Sequence, residues 1–91
     1  MDELEFAVLE LMLFPESFEH IVSETRIAAS RPVIGDVLKK LLHDELVSPY
    51  FKDSEGNYQR SIGYDSDDMN SYYYQITAKG IDVLNSSFRS S

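Results

Sequence analysis

Ser30-Arg31-Pro32-Val33-Ile34-Gly35-Asp36-Val37-Leu38-Lys39-Lys40-Leu41-Leu42-His43-Asp44-Glu45-Leu46-Val47 is the most structured-looking run in the chain. Ser30 has the side chain of a helix cap, and Pro32 falls in the first turn, where a missing N–H costs little. Ile34, Val37, Leu38, Leu41 and Leu42 recur at i, i+3, i+4, i+7 and i+8, which makes one apolar helical face. Lys39, Lys40 and His43 come late, where cations suit the helix dipole. The pattern predicts a helix over about 30–44 that runs straight into a strand over Leu46–Lys52. Pro49 within that strand predicts an edge position. Asp53–Asn70 is then a polar stretch of eighteen residues with turn signals at Glu55-Gly56-Asn57 and Ile62-Gly63. Within it, Tyr58–Arg60 extends one side of a hairpin, and Ser71–Ile76, rich in tyrosine, returns as a strand.

Upstream, Leu4, Val8, Leu11 and Met12 give a first helix over about Asp2 to Leu13, stopped by Phe14-Pro15. Phe6, Leu9 and Leu13 widen its apolar face beyond one stripe, which implies contact with more than one surface. Ser17 caps a short second helix, about Phe18 to Glu24, with Phe18, Ile21 and Val22 inward. Thr25–Ala29 is the turn, with Ile27 as its plug into the core. Downstream, Thr77 caps a last helix, about Ala78 to Ser87, with Ile81, Leu84 and Phe88 inward and Arg89-Ser-Ser frayed.

Ninety-one residues suit one domain over 1–91, and 43% hydrophobic content is enough for one core. The absence of cysteine removes disulfides, thiolate metal sites and a cysteine nucleophile, in keeping with a cytoplasmic location. The acidic start resembles no export signal, and the longest apolar run, Leu11–Phe14, is far short of the roughly 20 residues that span a membrane. Charge is unevenly spread around a net −8: residues 1–25 carry seven acids and no base, whereas 26–64 carry six bases against five acids. Global acidity disfavours loose binding to nucleic acid, while the near-neutral middle allows a focused contact.

Helix, turn, helix, strand, loop and strand is the order of a winged helix-turn-helix, and the chain resembles the PadR/MarR-like group of transcriptional regulators. The resemblance rests on Glu5-Phe6-Ala7-Val8-Leu9-Glu10-Leu11-Met12-Leu13, on Ser17-Phe18-Glu19-His20-Ile21-Val22, on the helix opened by Ser30-Arg31-Pro32, on Leu46-Val47, and on Tyr74-Gln75-Ile76-Thr77-Ala78-Lys79-Gly80. It implies an α+β fold with a three-helix core, a small antiparallel wing sheet of two or three strands and a C-terminal helix. The helix-turn-helix would occupy about 17–45 and the wing about 46–76. It further implies that duplex DNA is the partner, with helix 30–44 in the major groove and the wing on the adjacent backbone. Ser30, Arg31, Val33 and Gly35 would then reach bases, Arg31 with two parallel hydrogen bonds to a guanine edge. Lys39 and Lys40 would touch phosphates, and Lys52 and Arg60 would be the wing's cations. A homodimer is expected from the wide face of the first helix and Phe88, built differently from relatives that continue into a C-terminal dimerisation helix.

The sequence also departs from that group, and the net charge of −8, Asp36 and the acidic wing point to an alternative, a protein–protein interaction module that does not bind DNA, while Glu45 bears on the tightness of its turn. Asp36 is an acid on the groove helix, Glu45 stands where relatives place a turn glycine, and the wing carries Asp65, Asp67 and Asp68 as a mobile acidic tip. Tyr72, Tyr73 and Tyr74 read as core and rim aromatics, because a base-stacking platform needs cations that their own segment lacks. Glu16, His20 and Glu24 share a helix face but fall short of a metal site, and Asp65–Asn70 only faintly echoes a calcium loop. No nucleophile elbow or phosphate-cradling glycine loop is present, so the sequence predicts neither an enzyme nor a cofactor.

Overall fold

A computed structural model describes residues 1–89, with side chains described through residue 86. The inward and dimer-contact roles expected of Phe88, and the fraying of Ser90 and Ser91, lie outside the described side chains and residues. The chain runs α1 (Glu3–Leu9), a 3-10 turn (Glu10–Leu13), β1 (Glu16–Ser17), α2 (Phe18–Glu24), α3 (Arg31–His43), β2 (Val47–Lys52), β3 (Tyr58–Arg60), a second 3-10 turn (Met69–Ser71), β4 (Tyr73–Ile76) and α4 (Ala78–Arg89). This is a winged helix-turn-helix of the α+β class.

Asp2 is the cap of α1, not part of its first turn: its side chain accepts from the Glu5 N–H at 2.8 Å while Glu5 reaches back to the Asp2 N–H. The helix ends at Leu9, earlier than the periodicity suggests, and tightens into a 3-10 turn in which Met12 leaves helical geometry (φ −101°, ψ 31°). Ser17 and Ser30 cap α2 and α3 through the N–H groups of His20 and Val33, as expected. Leu9 and Met12 of the first helical segment, Phe18 and Ile21 of α2, and Ile34, Leu38 and Leu41 of α3 meet in one buried cluster with Val47, Tyr74 and Leu84. Leu9 is fully buried, so part of the width of the first apolar face is used within this chain. Ile27, the expected plug, is half-buried and outside that cluster, and Ile81 is 41% exposed instead of inward.

The sheet has four strands in the order β1-β4-β2-β3, all antiparallel, one more than the widest expectation. The addition is β1, two residues that pair Glu16 with Tyr74 and Ser17 with Tyr73. Pro49 therefore lies in a central strand, contrary to its edge assignment. Its carbonyl accepts from the Ser61 N–H, so its ring nitrogen also faces the β3 side, just past the last β2–β3 pair at Tyr50 and Arg60. The missing donor thus falls where the ladder runs out.

The end of α3 and the start of α4 are built as one joint. Glu45 adopts the left-handed conformation (φ 61°), and the Glu45 and Leu46 N–H groups return to the Leu42 and Leu41 carbonyls, a Schellman termination. Beyond it, the Thr77 hydroxyl donates to the Glu45 carbonyl at 2.7 Å, the Thr77 N–H to Leu46 O at 3.0 Å, and Lys79 Nζ to Asp44 O at 3.0 Å. Thr77 then caps α4 by accepting from the Gly80 N–H.

Candidate nucleic-acid interface

Buried positions on α3 fix which side chains remain outside. Ile34, Leu38, Leu41 and Leu42 turn inward, leaving Arg31, Val33, Asp36, Lys40 and His43 exposed. Gly35 does not belong to that outer face, since it is buried with the Phe18 ring 3.7 Å from where its Cβ would stand. Ser30 is exposed, but its hydroxyl is engaged by the cap. Val33 is 44% exposed and available for an apolar contact.

The acidic block at residues 1–25 and the bases that follow it do not act separately. Arg26 Nε donates to Glu10 Oε1 at 2.9 Å, Lys40 Nζ pairs with Glu5 Oε2 at 2.9 Å, and Arg31 pairs with Glu19. Lys40 is exposed while its partner Glu5 is nearly buried, and the Glu5 carboxylate holds the ammonium above the usual lysine range. Lys40 is thereby drawn towards α1 rather than presented to a phosphate.

Arg31 is held on three sides. Its Nη1 donates to Glu19 Oε2 at 2.8 Å, Nη2 donates to Glu19 Oε1, and Nη2 also reaches Asn70 Oδ1 at 3.0 Å. The guanidinium carbon lies 5.0 Å from the Phe18 ring centroid. Asn70 comes from the 3-10 turn before β4, so the acidic segment is no distal wing tip. It folds back beside α3, and a cleft of about 320 Å³ separates them, lined by Phe18, Arg31, Asp36, Lys39, Asp67 and Asn70. The tip of the wing is instead the Asp53–Asn57 turn, where Gly56 takes φ 83° and Asp53 accepts from the Glu55 and Asn57 N–H groups. The Asn57 N–H, then the Gln59 side chain, holds the Asp53 carboxyl below its usual range.

Register gathers the two cations of the sheet, Lys52 and Arg60, on one face. Tyr50 stands opposite both Arg60 and Tyr73, and Lys52 opposite Tyr58. Lys52 Nζ lies 5.2 Å from the centroids of both the Tyr58 and Tyr73 rings, which meet edge to face at 5.1 Å. The cation missing from the tyrosine segment is thus supplied by a neighbouring strand, which spacing along the chain does not reveal. Tyr74 points the other way into the core and donates to Met69 O at 2.7 Å. Among the described residues, Lys39, Lys52 and Arg60 have neither an ion pair nor a side-chain hydrogen bond. His20 Nδ1 and Glu16 Oε2 are 3.3 Å apart, but no third ligand joins them among the described residues. No described helix is long and apolar enough to cross a membrane.

Neither a family model nor a curated protein sequence matches the chain. Among solved structures, it is similar to the transcriptional regulator BldR from Sulfolobus solfataricus, with a TM-score of 0.68 at 20% identity, over 98% of this chain and 54% of that one. It is also similar to a PadR-like transcriptional regulator from Bacillus cereus, with a TM-score of 0.64 at 19% identity, over 96% of this chain and 79% of that one. The chain thus spans about half the length of the BldR chain. At these identities the likeness establishes a shared fold.

Proposed function

We propose that this protein is a transcriptional regulator that binds duplex DNA, with α3 in the major groove and the β2–β3 wing against the backbone. The observation that carries this reading is where the described cations with neither an ion pair nor a side-chain hydrogen bond lie. Lys39 is on α3 and Lys52 and Arg60 are on the wing, the two elements this fold offers to DNA, whereas Arg26 and Lys40 are neutralised by N-terminal acids. Both structural neighbours are transcriptional regulators, which supports the same reading. With so few phosphate contacts, each worth about 0.9 in the slope of log affinity against log salt, binding is salt-sensitive but shallow. Selection from a random duplex library at low and moderate salt is expected to enrich a half-site, repeated as a palindrome if the protein acts as a homodimer. Arg31→Ala should then weaken binding to that site by about 1–3 kcal/mol and relax specificity at one position. No enrichment at low salt overturns the reading.

A protein–protein interaction role is favoured by a different observation. The groove-facing arginine is already ion-paired, beside exposed Val33 and Asp36, on a chain of net charge −8. Failed selection together with a partner whose binding is lost on Val33→Asp would establish that role.

A further inference from the structure

The donors that would read a base are the ones Arg31 has already spent. A guanidinium recognises guanine by directing two N–H groups at O6 and N7. Here Nη1 and Nη2 are directed at the Glu19 carboxylate, and Nη2 is shared with the Asn70 amide oxygen. The segment that brings Asn70 there is firmly anchored. Met69 is only 8% exposed within the core cluster, and its carbonyl accepts from the Tyr74 hydroxyl. The Asp65 N–H donates to Tyr72 Oη at 3.1 Å, the Asp68 N–H to Asp65 O at 3.0 Å, and the Ser71 hydroxyl to Asp68 at 2.6 Å. The exposed carboxylates of Asp67 and Asp68 lie on the same segment, where they would repel a phosphate.

We propose that Glu19 of α2 and Asn70 of the anchored segment 65–71 form an internal latch that competes with DNA for the Arg31 side chain, in place of a base edge. The latch rests on the DNA-binding reading above and deepens it. Closed, it lowers apparent affinity by the fraction of time Arg31 is withheld. A latch shut about four-fifths of the time weakens binding about fivefold. Opening it frees one cationic contact and steepens the salt dependence by about one unit if that contact falls on phosphate.

The test is a double-mutant cycle on a duplex selected as above, in parallel with the wild type and with Asn70→Ala. Asn70→Ala changes no charge and sits on the surface, so a circular-dichroism melt serves as its folding control. It is expected to tighten binding about twofold with Arg31 present, because the Glu19 pair remains, and to have no effect in the Arg31→Ala background. Glu19→Gln, which removes the paired carboxylate, should tighten binding further, towards the limit of about fivefold. Asp67→Asn, which removes one charge from the cleft without touching Arg31, should give less than Glu19→Gln. A site enriched by Asn70→Ala but not by the wild type also supports the latch. Equal affinity of wild type and Asn70→Ala overturns the latch and leaves DNA binding intact, as does a gain that persists in Arg31→Ala. No enrichment by either protein overturns DNA binding itself, and the latch with it.

Discussion

At Glu45 a single dihedral states what the surrounding joint requires. An L-residue held at positive φ costs about 1 kcal/mol or more, and glycine is spared that cost while losing more freedom on folding. The Glu45 backbone makes the useful contacts, accepting from Thr77 and donating to Leu42. Glu45→Gly keeps them and should raise stability by about 0.5–1 kcal/mol, seen as a rise of a few degrees in melting temperature. A fall would mean that the glutamate side chain contributes more than its strain. The strain at this position was legible only through the resemblance, which puts a turn glycine where this chain has Glu45. The engagement of Arg31 was not legible. Glu19 and Asn70 are 12 and 39 residues away from it, and nothing in local spacing marks either as its partner.

At the scale of elements, the Thr77-Ala78-Lys79-Gly80 run acquires a mechanical meaning. Thr77 and Lys79 satisfy carbonyls just past the end of α3, and Gly80 lets α4 approach the same place. A Cβ on Gly80 would collide with the Leu46 carbonyl oxygen and stand 2.6 Å from Ile76 Cγ1. The first is backbone and cannot swing aside. Gly80→Ala should therefore lose about 2 kcal/mol despite alanine's better helix propensity, measured by urea unfolding. An unchanged midpoint would show that α4 can shift without cost. Caps and periodicity located α2, α3 and β4 from the sequence to within a residue or two. They missed β1, because two residues carry no alternation and become a strand only through Tyr73 and Tyr74 of β4. They misplaced Pro49 for a related reason: whether a strand is central depends on its neighbours, not on its own composition.

Across the whole molecule, Tyr74 is where sheet, core and the folded-back segment meet. Fully buried and donating to Met69 O, it has its phenol pushed by desolvation well above the usual tyrosine value of 10.0. Because the folded-state value lies above the unfolded one, this contribution is intact below pH 10 and drains away as pH rises from there towards the folded value. Stability should therefore fall on alkaline titration, and Tyr74→Phe should flatten that fall while costing about 1 kcal/mol at neutral pH through the lost hydrogen bond. An unflattened profile would assign the alkaline loss to other groups. Block-wise charge counting proved the least informative scale of sequence reading, because folding sets Glu5, Glu10 and Glu19 against the very bases counted in their favour.

The order β1-β4-β2-β3 leaves the two shortest strands, of two and three residues, on the outside. An open sheet grows by adding strands to long bare margins, and here the long strands β2 and β4 lie inside. With a shared negative charge of −8 keeping copies apart, the fold is guarded against fibril growth, and a concentrated sample near neutral pH should stay clear. That protection is weakest near the isoelectric point of about 4.5, where repulsion between copies vanishes and only the brevity of the outer strands remains.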